Sequence, residues 1–161
     1  MELTGYYPGA IGTITSLHAT YYHGNWGLDV TFETQVGREL SEFIGRFNRE
    51  RDGLWIAKIS GAFAGSIAID ASRTHKEGAR LRWFIVAPEF QGQKIGFRLF
   101  RTAISFCSER GYDSIYLWTF EGLDRARSLY ESEGFILSEE KHAHQWGIDL
   151  TEQMFTLRLE E

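Results

Sequence analysis

The residues best suited to chemistry lie between Gln91 and Gly96, in a short loop between an apolar strand and an amphipathic helix. Such a loop directs unpaired backbone N–H groups and the positive end of the helix dipole toward an anion. Gly92 and Gly96 let a ligand approach the backbone, because neither has a side chain. The layout predicts a phosphate or pyrophosphate site, although it matches neither Gly-x-x-x-x-Gly-Lys-Ser/Thr nor Gly-x-Gly-x-x-Gly. A turn that binds nothing is the alternative.

Two segments resemble the GNAT N-acetyltransferases. Val86–Gly96 is similar to the acetyl-CoA loop of that family, Gln/Arg-x-x-Gly-x-Gly/Ala, with Lys94 where the inner glycine is usual. Ala126–Phe135 resembles the family motif Ala-x-x-Leu-Tyr-x-x-x-Gly-Phe, and Leu123 stands where Asn is frequent. The chain is also similar to the acetyltransferase half of fusions with MarR-type regulators. The segments that carry this second likeness are Gly5–Gly9, Tyr116–Phe120 and Gln145–Gly147.

The resemblance implies direct transfer of an acetyl group from acetyl-CoA to a primary amine in a ternary complex. It implies that the loop amides hold the CoA pyrophosphate and that the end of the preceding strand binds the pantetheine arm and polarises the thioester carbonyl. It also implies that Tyr130 protonates the departing sulfur, since a tyrosine hydroxyl with a pKa near 10 is protonated at neutral pH. The residues implied to bind the cofactor are Phe84, Ile85, Val86, Gln91, Gly92, Gln93, Lys94, Ile95, Gly96 and Tyr130.

An acceptor amine is protonated in water, so a base has to remove one proton before the nitrogen attacks. We assign Glu33, between two predicted helices, as the candidate catalytic base, with Glu121 and His144 as alternatives. For both carboxylates, a solvated surface position is the favoured interpretation. His142 and His144 lack further cysteines and acidic partners at ligand spacing, so no metal site is predicted.

The acceptor itself is not identified by the sequence, and small-molecule amines and protein amines both stay open. Arg80 and Arg82 are either edge charges or groups that hold a carboxylate. Aromatic side chains could wall an acceptor pocket through cation–π contacts, or simply pack in the core. These aromatic residues are Tyr21, Tyr22, Trp26, Trp118 and Trp146.

Composition limits the other classes of function. The 161 residues carry a net charge of -5, which argues against nucleic-acid binding. No apolar run is long enough to span a membrane, and no signal peptide opens the chain, so a cytoplasmic location is expected. The single cysteine, Cys107, excludes an internal disulfide and is predicted to be buried. An acyl-CoA-binding module without catalysis is the rival function.

The length predicts a single domain over residues 1–161, and the resemblance implies that it is an N-acetyltransferase domain. Its fold class is α/β, with a mixed, mostly antiparallel sheet and a central parallel strand pair flanked by helices. A helix over 36–47 is expected to be capped by Thr34, after a loop at Gly27–Phe32. Met154–Leu159 is a predicted strand that could pair across a homodimer, and Lys141–Gln153 before it is predicted to be a long loop. The other predicted strands are Leu54–Ile59, Ala62–Asp70, Arg80–Val86, Ser114–Phe120 and Phe135–Glu140. Along Arg80–Val86, the residues Leu81, Trp83 and Ile85 are predicted to alternate with Arg80, Arg82 and Phe84, and a polar loop is predicted at Ala71–Gly78.

Overall fold

A computed structural model describes residues 1–73 and 78–159. Its strands are β1 (Glu2–Thr4), β2 (Gly53–Ile59), β3 (Ala62–Asp70), β4 (Ala79–Val86), β5 (Ser114–Phe120), β6 (Ile136–Gln145) and β7 (Ile148–Arg158). Its helices are α1 (Ala10–Trp26), α2 (Val30–Gly45), α3 (Ile95–Glu109) and α4 (Asp124–Ser132), with one 3-10 turn at Pro88–Phe90. The described strands form one sheet in the order β1-β2-β3-β4-β5-β7-β6, antiparallel except for the pair β4 and β5. The predicted fold class is confirmed.

The helices cover both faces of the sheet. On one face, α1 and α2 bury Ile14, Leu40 and Phe43 against β2, β3 and β4. On the other face, α3 buries Phe100 and Cys107 in a larger cluster that also takes in side chains from α4 and β5. The predicted burial of Cys107 is confirmed, and the sheet is closed to water on both faces over its centre.

The second helix begins earlier than the sequence predicts. Val30 is its first residue and Asp29 is its N-cap, with the Asp29 carboxylate accepting a 2.9 Å hydrogen bond from the Thr31 amide. The prediction of a loop at Gly27–Phe32 and of a cap at Thr34 is therefore wrong. The capping aspartate outweighs the weak helical periodicity of the first turn, because it satisfies an N–H that has no partner within the helix.

The predicted long loop at Lys141–Gln153 is also wrong. These residues belong to β6 and β7, which are joined by a tight turn at Trp146 and Gly147, with φ of 55° and 83°. Positive φ at both positions is the geometry of a two-residue hairpin. The alternation that marks a strand is missing because β6 is an outer strand, exposed along nearly its whole length.

Two further expectations change. β7 is paired with β5 on one side and, over residues 148–156, with β6 on the other, so residues 154–156 of the predicted strand have no free edge for pairing across a dimer. β1, a short strand paired with β2, was not predicted. The loop expected at Ala71–Gly78 falls in part on 74–77, outside the described residues.

No described helix is long and apolar enough to cross a membrane. Over residues 1–73 and 78–159, no group of three or more His, Cys, Asp and Glu side chains is placed to hold a metal ion.

Candidate active site

The central parallel strands pair only at their beginnings. Ala79 faces Ile115 and Arg80 faces Tyr116, and no pairing between β4 and β5 is found beyond this point in the described chain. The strands therefore separate toward their carboxyl ends, where a ligand is expected in an open α/β sheet. The edge of β4 that faces the gap keeps backbone N–H and C=O groups available over Leu81–Val86.

A β-bulge in β4 decides which side chains face the gap. Ser66 of β3 pairs with Ile85 and Ala68 pairs with Arg82, so β4 holds one extra residue between these pairs. Trp83 takes up this extra residue with a φ of 48°. The Ser66 hydroxyl donates a 2.8 Å hydrogen bond to the Trp83 carbonyl and holds the bulge in place.

The bulge shifts the alternation of β4 by one residue. Arg82 contacts Glu39 on α2, and Trp83 also faces α2, with its ring 5.3 Å from that of Phe43. Phe84 turns to the opposite face, with its ring 5.6 Å from that of Phe100 on α3. The predicted alternation of Leu81, Trp83 and Ile85 with the arginines and Phe84 is therefore wrong from Trp83 onward, and the guanidinium of Arg82 lies 4.2 Å from the centre of the Trp83 ring.

The loop before α3 adopts the geometry that its glycines suggest. Gly92 has a φ of 84°, and Lys94 has a φ of 63°, the left-handed conformation that glycine usually adopts. Lys94 therefore adopts a backbone conformation that glycine accepts without strain, and adds a positive charge. A Cβ on Gly96 would lie 3.4 Å from the Val86 side chain, an ordinary van der Waals contact, so α3 packs on β4 with room for at most a small side chain here.

The loop and the end of β4 line one cleft, which we call the loop cleft, of about 560 Å³. It contains the predicted cofactor-binding residues Phe84, Ile85, Val86, Gln91, Gly92, Lys94, Ile95, Gly96 and Tyr130. Gln93 is exposed and is not among its lining residues. Sequence reasoning missed Arg125 at the start of α4, whose guanidinium donates a 3.3 Å hydrogen bond to the Gln91 side chain across the cleft. Its walls are largely apolar and aromatic, which suits a long, partly apolar ligand with an anionic end.

A second cleft, which we call the strand cleft, of about 280 Å³, lies in the gap between β4 and β5. Its polar lining residues are His18, Gln35, Glu39, Arg80, Arg82, Thr119, Gln145 and Glu152. Its aromatic lining residues are Tyr22, Phe32, Trp83, Phe84, Trp118, Phe120, Tyr130 and Trp146. Tyr22, Trp118 and Trp146 of the predicted aromatic set thus reach this cleft, whereas Tyr21 and Trp26 line the loop cleft.

The hairpin turn closes one wall of the strand cleft. The backbone amide of Asp29 donates a 2.9 Å hydrogen bond to the Trp146 carbonyl, and the Trp146 indole N–H donates to the Gln35 side chain at 2.9 Å. A Cβ on Gly147 would lie 2.7 Å from an Asp29 carboxylate oxygen, so only glycine fits this contact. The start of α2 therefore fixes the tip of the β6–β7 hairpin over the cleft.

The two clefts meet at a shared set of side chains. Both are lined by Tyr22, Phe84, Leu123 and Tyr130. Tyr130 is 7% exposed and packs against the rings of Phe100 and Phe155, at 5.5 and 5.8 Å. Burial, followed by the nearby Tyr22 hydroxyl, raises the pKa of Tyr130 above its usual value, so the hydroxyl stays protonated at neutral pH.

The predicted base is not brought to either cleft. Glu33 is exposed and lines a shallow groove between α1 and α2. Glu121 is exposed as well, and His144 is paired with Asp149 at 2.8 Å on the outer strands. The carboxylates that line the strand cleft are Glu39 and Glu152, and both were missed. Glu39 lies three residues after the buried Val36, a spacing that could have indicated a position beside the core.

His18 was also missed as a residue that lines the strand cleft. It is 6% exposed, lines the strand cleft, and its Nδ1 donates a 2.8 Å hydrogen bond to the Ile14 carbonyl one turn earlier in α1. Because that nitrogen carries the proton, Nε2 holds a lone pair. Burial lowers the pKa of His18 to about 4, so the ring is neutral at physiological pH.

Comparison with known proteins identifies the family. Residues 13–135 match the model of the acetyltransferase (GNAT) family. The chain is 31% identical over 117 residues to an uncharacterised N-acetyltransferase of Archaeoglobus fulgidus, covering 70% of this chain and 80% of that protein. It is 28% identical over 127 residues to a Xenopus tropicalis protein named probable N-acetyltransferase camello, covering 76% of this chain but only 58% of that protein's length.

Solved structures share the fold at low sequence identity. The yncA structure from Salmonella typhimurium with its cofactor acetyl-CoA has a TM-score of 0.78 at 15% identity, covering 100% of this chain and 95% of that one. An N-acetyltransferase structure from Staphylococcus aureus Mu50 has a TM-score of 0.81 at 13% identity, covering 99% and 98%. The separated parallel strands, the loop before α3 and the match over residues 13–135 lead to one conclusion: the chain belongs to the GNAT family of acetyltransferases.

Proposed function

We propose that this protein is an acetyl-CoA-dependent N-acetyltransferase that transfers the acetyl group directly to a primary amine. The observation that carries the proposal is the meeting of the loop cleft and the strand cleft at Phe84 and Tyr130. A donor in one cleft and an acceptor in the other would have their reacting atoms side by side, which is what direct transfer requires.

The loop cleft fits acetyl-CoA. Positive φ at Gly92 and Lys94 turns the backbone at the start of α3, where the first N–H groups have no helical partner and favour an anion. Lys94 and Arg125, both lining residues, add positive charge for a diphosphate. The exposed edge of β4 over Phe84–Val86 offers backbone groups to the amide-containing pantetheine arm. Acetyl-CoA supplies an acetyl group activated as a thioester.

The strand cleft fits an amine. Glu39 and Glu152 place negative charge in its lining, and several aromatic rings face it, an environment that attracts a cation. Because Glu33 lies outside both clefts, we propose Glu152 in its place as the group that accepts the proton from the amine. Glu152 faces Phe120 in the sheet register, at the carboxyl end of β5 where the clefts meet.

Starting from the ammonium form of the acceptor, the transfer forms a C–N bond, breaks the thioester C–S bond and removes two protons from nitrogen. The first goes to Glu152 before attack, and the second leaves nitrogen as the amide forms and is passed on to sulfur. Tyr130 would donate the second proton or hold the sulfur by a hydrogen bond, since its hydroxyl is protonated and makes no hydrogen bond within the described residues. The β4 amides beyond the bulge would stabilise negative charge that develops on the carbonyl oxygen.

We also propose one catalytic domain over residues 1–161 and a cytoplasmic location. A single buried cysteine suits a reducing compartment. We further propose that the chain is similar to the acetyltransferase half of MarR-type fusions, on the basis of the segments Gly5–Gly9, Tyr116–Phe120 and Gln145–Gly147 alone.

A panel of amines with acetyl-CoA, followed by release of free thiol, tests the function. The expected result is thiol release that depends on the added amine and yields the acetylated amine in equal amount. Tight CoA binding with no amine-dependent release from any member of the panel would contradict the proposal and support a non-catalytic acyl-CoA-binding module.

A further inference from the structure

Arg80 differs from the other charged residues that line the strand cleft. It is half-buried, and its Nε is enclosed without a hydrogen-bond partner. In the part of the chain that the structure describes, no acidic side chain forms an ion pair with it. A buried N–H that has lost water without gaining a partner is costly, so the position favours an external hydrogen-bond acceptor, and the charge of the guanidinium favours an anionic one.

The neighbouring charges are already paired and cannot neutralise Arg80. Arg82 forms an ion pair with Glu39 and lies 3.7 Å from Asp70, which in turn is 2.8 Å from Arg46. Two arginines and two carboxylates thus balance one another. Burial, followed by the positive charge of Arg80, lowers the pKa of Arg82, as expected for two neighbouring guanidinium groups of like charge.

The charge of Glu152, on the opposite wall of the strand cleft, is also compensated by neighbouring side chains. Glu152 lies 3.4 Å from Lys141, and the Gln145 side-chain amide donates a hydrogen bond to it. His18 is neutral and presents a lone pair. Arg80 is therefore the cation in this cleft that is left to bind a ligand.

The surroundings select the kind of anion. Arg80 does not line the loop cleft, so it is separate from the proposed diphosphate site. One unpaired guanidinium neutralises one negative charge, and its planar N–H groups match a carboxylate in geometry, whereas a multiply charged phosphate would leave excess negative charge in the same small cleft. The ligand that fits both walls carries one carboxylate for Arg80 and one amine for the acidic and aromatic side.

We propose that Arg80 binds a carboxylate of the acceptor, and that the acceptor is an amino acid or a similar small molecule with both an amine and a carboxylate, rather than a polyamine. This inference rests on the proposed acetyl transfer. It assigns Arg80 as a residue that determines which acceptor binds, with no part in proton transfer.

Matched pairs of amines test the assignment. Each pair consists of an amino acid and the amine left after removal of its carboxylate, for example lysine with cadaverine and phenylalanine with phenethylamine. The wild-type protein is expected to prefer the acid in at least one pair by about 10- to 100-fold in kcat/KM, the value of a charge-assisted hydrogen bond. Arg80→Gln should abolish the preference, mainly by raising KM, while Arg80→Lys should keep part of it.

Controls separate the possible outcomes. Arg49→Gln, at an exposed arginine in the turn before β2, should leave the preference unchanged, and the Kd of CoA should stay the same in every variant. An equal rate for both members of every pair in the wild type, or an unchanged preference in Arg80→Gln, would overturn the inference while leaving acetyl transfer intact. If no amine is acetylated, calorimetric binding of the same pairs is compared: binding of the acids that Arg80→Gln abolishes supports the carboxylate site and contradicts only the transfer.

Discussion

Ser66 and Trp83 are joined across β3 and β4 by a hydrogen bond of 2.8 Å from the serine hydroxyl to the tryptophan carbonyl. Ser66 is fully buried, and the bond lies at the bulge that sends Phe84 toward α3 and keeps Arg82 and Trp83 facing α2. A single buried hydroxyl thus helps to decide which side chains line the strand cleft and which line the loop cleft.

Replacing this hydroxyl is expected to damage both stability and the site. Ser66→Ala leaves the Trp83 carbonyl without its partner and should lower the free energy of unfolding by roughly 1–3 kcal/mol. Relaxation of the bulge should also raise the KM for the amine. Denaturant titration and steady-state kinetics measure the two effects, with Ser105→Ala on the exposed side of α3 as the control. A Ser66→Ala protein with wild-type stability and KM would mean that the bulge is held by β3 pairing alone.

Lys94 combines a left-handed backbone with a charge beside the proposed diphosphate site, and two substitutions separate these features. Lys94→Gly and Lys94→Ala both remove the charge, so each should weaken CoA binding by about tenfold. Only glycine adopts this backbone conformation without steric cost, so Lys94→Gly should be more stable than Lys94→Ala by about 1 kcal/mol. Calorimetric titration with CoA and thermal unfolding provide the two readouts. Tighter CoA binding by Lys94→Gly than by the wild type would show that the side chain obstructs the ligand.

Tyr130 stands where the clefts meet, and its hydroxyl is the group proposed to act on sulfur. Tyr130→Phe keeps the ring packed against Phe100 and Phe155 and should lower the rate of acetyl transfer by about 100-fold, with little change in the Kd of CoA. Because burial and Tyr22 raise the pKa of Tyr130, its titration should not reduce the rate as the pH rises from 7 to about 9. Tyr6→Phe, at an exposed tyrosine, is the control. A full transfer rate in Tyr130→Phe would remove the proton-donor role.

The strand–loop–helix at the centre of the fold was predictable because its signals are local. Alternating apolar residues, a proline and spaced glycines act within a few residues of one another, and the positions of Gln91 and Gly96 on the cleft follow from them. Tyr130 was likewise identified from a short motif. The structure brings these residues together as the sequence predicts.

Features that depend on distant partners were not predictable in this way. The bulge at Trp83 needs Ser66 on another strand, and the β6 strand is polar on both faces because it lies at the edge of the sheet. Glu39, Glu152 and His18 reach the strand cleft from three separate elements, and each is unremarkable in its own segment. Glu33 was favoured by its position between helices, but the helical turn carries it to the opposite side of α2 from the cleft.

Cys107 provides a test of direct transfer. Burial raises the pKa of the Cys107 thiol to about 12, so the thiolate needed for an acetylated intermediate is scarce at neutral pH. Cys107→Ala should therefore retain acetyl transfer within about twofold, with a modest loss of stability from the smaller side chain. In the native protein, the thiol should react with a disulfide reagent only as fast as the protein unfolds. Loss of activity in Cys107→Ala, or mass-spectrometric detection of an acetyl group on this residue during turnover, would contradict direct transfer.

His18 predicts how stability changes with pH. The unfolded chain takes up a proton on this residue near its usual pKa of 6.5, whereas burial lowers the pKa in the folded protein to about 4. Between these two pH values the unfolded state binds more protons, so the free energy of unfolding should fall as the pH decreases, by roughly 3 kcal/mol over the whole range. Asp70 affects stability at a lower pH than His18. Burial opposes a lowered pKa, but Arg46 and Ser72 outweigh burial and lower the pKa of Asp70 to about 2. The stability that Asp70 contributes is therefore lost only below about pH 4.

Urea titrations from pH 7 to pH 4 measure this dependence. His18→Gln, whose amide can still donate to the Ile14 carbonyl, removes the titrating ring and should flatten the slope between pH 6.5 and 4. His144→Gln, the same substitution at an exposed histidine of β6, is the matched control. Equal slopes for His18→Gln and the wild type would show that the folded protein accommodates a charged His18, and the strand cleft would then hold a protonated imidazole near pH 6.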